Sequence, residues 1–326
     1  MPFSLCLPAN EIYANRNAQR RAIGDPGTTE RFSLPNYLYI IVLKKDGDDW
    51  IKWQTIEETV TEEDWMLTTY GGTLYSQGNL VYQYTGLFDL LLSNHKFEGR
   101  VYAMASTVAL SFSQTFSTIS DLDELLALTF DASDDDVQEN IQNIYSTPYN
   151  YDVAGHYYCS FSSTEQRVPY VSLMLYHVAA KVDIIWNVEE NVRIDNETPA
   201  NGVRLTYLGA RRLFNGDASC FQPLRNTVAS LPATGYDIND IVTSADEGLW
   251  WEGRTYFYTI PYIVTGEPGY FPLQLLIRTN DSEGTGYQLT LKQPIDTTDI
   301  FVPWIRGNIR LTQALSDMTD IKIGSN

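Results

Sequence analysis

One stretch in the middle of the chain alternates apolar and polar side chains with a period of two. In Tyr176–Val188, every second position is apolar and most of the positions between are polar. Successive side chains of a β-strand point to opposite faces of the sheet, so the pattern predicts a long antiparallel strand with one buried face. The buried face consists of Val178, Ala180, Val182, Ile184, Trp186 and Val188. A chain with such a strand must build a sheet and cover one side of it.

Shorter runs predict more strands. Tyr37–Leu43 is apolar on both faces, which predicts a strand in the centre of a sheet. The alternation recurs in Tyr102–Phe112, Val203–Tyr207, Tyr256–Ile260, Leu273–Ile277 and Ile309–Leu311. Many short strands between turn residues indicate an all-β chain built from β-sandwiches.

Helical signals are few and lie in the first half. Ser120 followed by Asp123 predicts the start of a helix over Asp121–Leu128. Ser133 followed by Asp136 predicts a second helix over Asp134–Tyr145. The fold class that follows is all-β with minor helices.

The length of 326 residues suffices for two β-sandwich domains. A segment rich in Tyr, Ser and Asn, Ser146–Val168, marks the predicted boundary. We therefore predict an N-terminal β-sandwich domain with one or two helices over 22–165 and a C-terminal β-sandwich domain over 166–326. Residues 1–21 form a separate N-terminal segment.

Charge and composition exclude several classes of protein. The chain has 41 acidic and 22 basic residues, and its net charge of −19 would repel the phosphates of nucleic acids. Its 44% hydrophobic content excludes global disorder. The longest uncharged run, Val101–Ser120, is too rich in Ser, Thr and Gln to partition into lipid. The first ten residues lack the pattern of an export signal, which leaves two alternatives: a cytoplasmic protein, or an exported one whose signal precedes this chain.

No pattern of residues predicts a catalytic, cofactor or metal site. The three cysteines and three histidines have no zinc-site spacing. The acidic run Asp131–Asp136 lacks the Gly and Glu of an EF-hand loop and predicts a helix N-terminus instead. His177 lies near Asp183 in sequence, but no nucleophile motif accompanies the pair. The aromatic pair Trp250–Trp251 is either a sugar-stacking platform or the shoulder of a hairpin packed on the core.

The N-terminal segment contains a candidate processing site. Residues 1–21 carry a net charge of +2, from three Arg and one Glu, and end in the dibasic pair Arg20–Arg21. A Gly/Pro/Thr-containing stretch follows from Ala22, and exposed stretches of this kind are where trypsin-like proteases cut. The pattern predicts cleavage after Arg21, which makes Ala22 the new N-terminus, with Arg20 as the alternative register. An incidental Arg pair is the other interpretation.

Three motifs in order resemble the fimbrillin family, the pilins of protease-assembled bacterial surface fimbriae. The first is N-A-Q-R-R-A-I-G-D at residues 17–25, followed by the strand Tyr37–Leu43. The second is L-Y-H-V-A-A-K-V-D-I-I at residues 175–185, which is similar to the strand that opens the second domain in this family. The third is W-E-G-R-T-Y-F-Y-T-I-P-Y at residues 251–262, followed by R-G-N at residues 306–308. Ile309 stands where the family usually has Tyr.

The resemblance implies a fold and an assembly mechanism. Proteins of this family consist of two transthyretin-like β-sandwich domains and are exported as lipoproteins, with the signal and lipid anchor only in the precursor. An Arg- or Lys-specific maturation protease removes the first strand, and the groove left behind accepts a strand from another fimbrial subunit. Applied to this chain, residues 1–21 are the removable leader strand. Leu7, Ile12 and Tyr13 are the apolar side chains expected to hold it in the groove.

The resemblance also implies a non-enzymatic structural or adhesive subunit at the cell surface, in a fimbrium on the outer membrane. The expected partners are other subunits, identical or paralogous, and the protease; a host receptor or glycan is an open partner. Two alternatives stand beside this expectation. One is a surface-exposed β-sandwich protein that binds glycan without polymerising, and the other is a hydrolase whose site the sequence does not show.

Overall fold

The structure is a computed structural model of the whole chain. It describes residues 1–8, 33–70, 79–89, 98–147, 159–162, 170–187, 205–211, 216–222, 226–228, 238–243, 252–260, 263–264, 270–279, 286–294, 308–312 and 322–324. Among these residues, no helix is both long enough and apolar enough to cross a membrane.

Nearly all regular structure in the described residues is β, which confirms the predicted fold class. The strands of the first half are β1 Pro2–Pro8, β2 Tyr37–Asp46, β3 Asp49–Thr59, β4 Met66–Tyr70, β5 Asn79–Leu87, β6 Glu98–Ser106, β7 Thr129–Asp131, β8 Ile144–Ser146 and β9 Cys159–Ser162. The following strands are β10 Val171–Met174, β11 Tyr176–His177, β12 Ala180–Asn187, β13 Leu205–Arg211, β14 Asp217–Ser219, β15 Thr227–Val228 and β16 Ile238–Thr243. The last are β17 Glu252–Thr259, β18 Ile263–Val264, β19 Tyr270–Thr279, β20 Gly286–Pro294, β21 Asn308–Thr312 and β22 Lys322–Gly324. The described residues also form two short α-helices, α1 Leu122–Ala127 and α2 Asp135–Glu139. Three 3-10 turns cover Glu62–Asp64, Phe116–Thr118 and Ile141–Asn143.

The strands divide between two units, and the first contains β1–β11 and β14. One of its sheets has the strand order β10-β1-β5-β4, and the other has the order β11-β8-β6-β2-β3, with β9 also paired to β6. Apolar side chains from both sheets form one buried cluster, which makes this unit a β-sandwich. The cluster includes Phe3, Leu5, Leu7, Tyr82, Val171 and Leu173 from one sheet and Leu38, Ile40, Val42, Val101, Ala103 and Tyr145 from the other.

Strand β2 is the central strand that its sequence predicts. It pairs antiparallel with β3 on one side and with β6 on the other. Its side chains are buried on both faces because a second apolar layer covers the side away from the sandwich core. In that layer the ring of Tyr39 packs edge-to-face on Phe112 at 4.8 Å, and its hydroxyl accepts a 3.1 Å hydrogen bond from the Leu110 N–H.

A short segment from the second half of the chain belongs to the first unit. Strand β14 pairs antiparallel with β7, and the N–H of Cys220 donates to the carbonyl of Leu128 at 3.1 Å. The ring of Phe221 lies edge-on to Tyr102, with 5.4 Å between centroids. Strand β14 therefore belongs to the first unit, whereas β13, the strand before it in sequence, belongs to the second.

The first unit also extends beyond the predicted boundary at residue 165. Strand β10 pairs in parallel with β1, and β11 pairs antiparallel with β8. These pairings attach the chain up to Ala179 to the first unit, so the change of unit falls between Ala179 and Ala180 rather than near Val168.

The prediction of one continuous strand over Tyr176–Val188 is wrong. Tyr176 and His177 pair with Ser146 and Tyr145, whereas β12 pairs antiparallel with β17 and parallel with β21. Between them, Val178 and Ala179 form a buried bend, and the Val178 N–H donates to the carbonyl of Ile144 at 2.9 Å. The strand breaks because its two parts pair with different sheets.

The second unit contains β12, β13 and β15–β22. Its strands form sheets with the orders β17-β12-β21 and β16-β13-β19-β20-β22, and β15 pairs with β18. Strands β13, β17, β19 and β21 lie on the four predicted runs of the second half, which confirms those strands. The run Tyr102–Phe112 is confirmed only in part, because β6 ends at Ser106 and Phe112 joins an isolated bridge to Phe130.

Both helices begin one residue later than predicted, and the second is much shorter. Asp121, not Ser120, caps α1 by accepting a 3.0 Å hydrogen bond from the Glu124 N–H. Asp134 caps α2 through the N–H groups of Asp136 and Val137, at 2.9 and 3.2 Å. The extension of α2 to Tyr145 is wrong because β8 pairs with β6 from Ile144 onward.

Candidate functional site

Strand β1, from the N-terminal segment, lies between two strands that come much later in the chain. It pairs antiparallel with β5 from Pro2↔Leu87 to Pro8↔Val81, and parallel with β10 from Phe3↔Val171 to Cys6↔Met174. Reciprocal 2.8 Å main-chain hydrogen bonds between Met1 and Phe88 extend the β5 side. Because both edges of β1 are paired, we call its position between β5 and β10 the β1 slot.

Both faces of the strand in the β1 slot are buried. Met1, Phe3, Leu5 and Leu7 face the sandwich core, and the last two have no exposed surface. On the opposite face Ser4 and Cys6 are also wholly buried, and the Ser4 hydroxyl donates a 3.1 Å hydrogen bond to the hydroxyl of Ser172. Burial raises the pKa of the Cys6 thiol, which therefore stays neutral at physiological pH.

The ring of Phe3 occupies a space that a glycine provides. Phe3 lies opposite Gly86 of β5, and a Cβ atom at Gly86 would meet the Phe3 ring at 2.5 Å. The ring stacks on Phe88 with 4.2 Å between centroids and an interplanar angle of 16°. The ring of Tyr84 also lies near the Phe3 ring, with 6.2 Å between centroids. We call the space bounded by Tyr84, Gly86 and Phe88 the Gly86 notch.

A strand in the β1 slot stabilises the first unit mainly by burying its apolar side chains. Burying four apolar side chains contributes on the order of 10 kcal/mol before the cost of ordering the strand. A first unit without β1 would expose the N–H and C=O groups of β5 and β10 beside an apolar floor. Unpaired main-chain groups beside an apolar floor are the features that β-augmentation uses to bind an extended strand.

The structure describes one of the six predicted site residues. Leu7 is buried in β1 and packs in the sandwich core. The other predicted leader contacts, Ile12 and Tyr13, lie outside the described residues, as do Arg20, Arg21 and Ala22. The processing site therefore stays a prediction from sequence.

The sequence predictions do not include the main buried contacts of β1, which are Met1, Phe3 and Leu5. Their signal is the alternation M-x-F-x-L-x-L over residues 1–7, the same period that reveals the other strands. The run is short and has Pro at positions 2 and 8, which usually argue against a strand paired on both sides.

The other chemical candidates have structural roles where they are described. The acidic run Asp131–Asp136 supplies the α2 cap, and the Ser133 hydroxyl and N–H donate to Asp131 at 2.5 and 2.8 Å. Among the residues whose side chains are described, no group of three His, Cys, Asp or Glu could hold a metal ion. The Nδ1 of His177 lies 2.6 Å from the carbonyl of Gln142, to which it donates. Trp250 and Trp251 lie outside the described residues.

No protein-family model and no curated protein matches the sequence. Among solved structures, a fimbrial assembly protein from Parabacteroides distasonis is similar over 99% of this chain and 98% of its own, with 12% identity and a TM-score of 0.50. The two proteins share a fold. Other structural neighbours include the fimbrial anchor protein of Porphyromonas gingivalis, with 8% identity, 99% and 98% of the two chains covered and a TM-score of 0.37. A candidate adhesin from Bacteroides thetaiotaomicron has 10% identity, 99% and 95% coverage and a TM-score of 0.44.

Proposed function

We propose that this chain is a non-enzymatic subunit of a bacterial surface fimbria. In the proposed assembly, a protease removes residues 1–21, and a strand of a neighbouring subunit then enters the β1 slot. The observation that carries the proposal is the position of β1, a strand that precedes the predicted cleavage site, lies inside a sheet and is buried on both faces. The fold shared with a fimbrial assembly protein supports it.

The position of β1 makes exchange physically reasonable. A cut between β1 and β2 separates β1 from the rest of the chain, so β1 can leave the sheet without drawing another strand with it. Its departure leaves the facing N–H and C=O groups of β5 and β10 unpaired. A new strand in the same position restores both sets of hydrogen bonds and the same apolar contacts. Exchange between equivalent strands needs no new fold, only a cut that makes the departure of the first strand irreversible.

The processing step is assigned to the dibasic pair. We propose cleavage after Arg21, with Ala22 as the mature N-terminus and Arg20 as a second register. Such proteases bind the Arg guanidinium through a charge-assisted pair with a carboxylate. In this account the partners of the chain are the protease and other fimbrial subunits, and the mature protein resides at the cell surface.

Limited proteolysis of the purified full chain tests the proposal. Trypsin-treated and untreated protein are mixed separately with fimbrial material sheared from producing cells, and the mass of the chain and its presence in fibres are measured. We expect treated protein to lose residues 1–21 and to enter the high-mass fraction, while untreated protein stays monomeric. Treated protein that remains monomeric would contradict the proposal. Monomeric treated protein that bound a sugar array would instead be a glycan-binding protein. Protein that turned over an ester, peptide or glycoside would be an enzyme.

A further inference from the structure

The β1 slot differs from one side-chain position to the next. At the Phe3 position the Gly86 notch accommodates a whole aromatic ring, because Gly86 has no Cβ and Phe88 offers a stacking surface at 4.2 Å. An aliphatic side chain at this position would leave part of the notch empty and would forfeit the stacking contact with Phe88.

The next four positions have different requirements. Leu5 and Leu7 point into the sandwich core and have no exposed surface, so these positions need aliphatic side chains. Ser4 and Cys6 on the opposite face are also fully buried, and both lie near the Ser172 hydroxyl, at 3.1 and 3.8 Å. A large side chain at either of these positions would displace packed neighbours.

We propose that the β1 slot selects its occupant by the pattern aromatic–small–aliphatic–small–aliphatic over the positions of Phe3 to Leu7, and that Gly86 is the residue that determines the aromatic preference. This inference rests on the proposed function and names the chemistry of the partner strand. Residues 305–326 contain no Phe, Tyr or Trp. A strand drawn from this stretch of a second copy would leave the Gly86 notch empty, whereas a strand with an aromatic side chain in register with Phe3 would fill it.

Peptide uptake by the trypsin-treated chain tests the pattern. Three labelled ten-residue peptides compete in excess for the β1 slot: residues 1–10 with Ser in place of Cys6, the same peptide with Phe3→Leu, and the same peptide with Ser4→Leu. Loss of an aromatic pair predicts that the Phe3→Leu peptide binds about tenfold more weakly. The Ser4→Leu peptide is expected not to bind, since that position is fully buried.

The role of Gly86 has its own test in the uncut chain, which does not depend on exchange. The added Cβ of Gly86→Ala should lower the midpoint of thermal unfolding, and the double variant Phe3→Leu/Gly86→Ala should recover part of the loss. In the uptake assay, Gly86→Ala protein should lose its preference for the Phe peptide. Strictly additive effects on the midpoint would contradict the role of Gly86.

The outcomes of the uptake assay separate this inference from the proposed function. Equal uptake of all three peptides would overturn the selection pattern and leave strand exchange standing. Uptake of none of them would overturn the proposed function and this inference with it.

Discussion

The hydroxyl of Tyr84 on β5 donates a 2.5 Å hydrogen bond to Oε2 of Glu58 on β3, which ties the sheet that contains β1 to the opposite sheet. The same ring lies beside Phe3 and Trp65, with 6.2 and 5.9 Å between centroids. Partial burial, followed by the neighbouring carboxylate of Glu58, raises the pKa of the Tyr84 phenol well above its usual range. Tyr84 therefore joins the Gly86 notch to a contact that depends on pH.

This raised pKa predicts a difference in alkaline stability between wild type and Tyr84→Phe. The folded state keeps the phenol protonated where the unfolded state releases the proton, so the stabilisation from Tyr84 is complete below about pH 10 and is lost above it. Wild type should thus keep its stability relative to Tyr84→Phe up to about pH 10 and lose it progressively as the pH rises above that value. Urea unfolding at a series of pH values measures the difference. Tyr170→Phe, at a phenol that is 55% exposed, is the matched control, and parallel profiles for wild type and Tyr84→Phe would contradict the prediction.

Phe221 tests whether β14 and its neighbours stabilise the first unit. The side chain has no exposed surface and packs edge-on to Tyr102 of β6. Phe221→Ala should cost about 3–5 kcal/mol of unfolding free energy, because it leaves a cavity in the second apolar layer. Hydrogen exchange followed by mass spectrometry should show lost protection in β2 and β6 and unchanged protection in β19 and β20. Leu87→Ala, at a side chain that is 70% exposed, is the control and should have little effect. Loss of hydrogen-exchange protection only in the second unit would contradict the role of Phe221 in the first unit.

Ile184 tests the alternation in β12. The strand is central in its sheet, and Ile184 is paired with Thr255 on β17 and Leu311 on β21. Its sequence pattern places Ile184 on the apolar face, where Ile184→Asp would bury an unpaired charge at a cost of several kcal/mol. Lys181→Asp introduces the same charge on the polar face and should be tolerated. Equal thermal unfolding of wild type and Ile184→Asp would show that the assigned face is wrong.

Alternation predicts strands well in this chain because the side-chain period of a strand is a local property. It predicts five of the ten described strands of the second unit, whereas the central position of β2 follows from a run that is apolar on both faces. It does not reveal the bend at Val178 and Ala179, because the apolar positions continue in phase through the break. The break depends on which sheet each part pairs with, and that is a property of the tertiary fold.

The remaining differences have equally specific causes. Ser120 and Asp121 are both good helix caps, and only the local backbone decides that Asp121 accepts from the Glu124 N–H. Strand β14 is three residues long and is held by partners about ninety positions away, such as Phe130 opposite Ala218, so no local pattern identifies it. For the candidate site, the sequence predicted a leader strand and Leu7 within it. The Gly86 notch is visible only once β1 and β5 are in register.

Cleavage after Arg21 and strand exchange are tested together by the N-terminus of the chain in assembled fimbriae. Cells that produce wild type or the double variant Arg20→Ala/Arg21→Ala are compared, and the chain is recovered from sheared fibres and from the soluble fraction for mass spectrometry. We expect wild-type fibres whose chain begins at Ala22, and a double variant that is folded, retains residues 1–21 and stays out of fibres. Fibres of normal length that contain the double variant with residues 1–21 attached would contradict it.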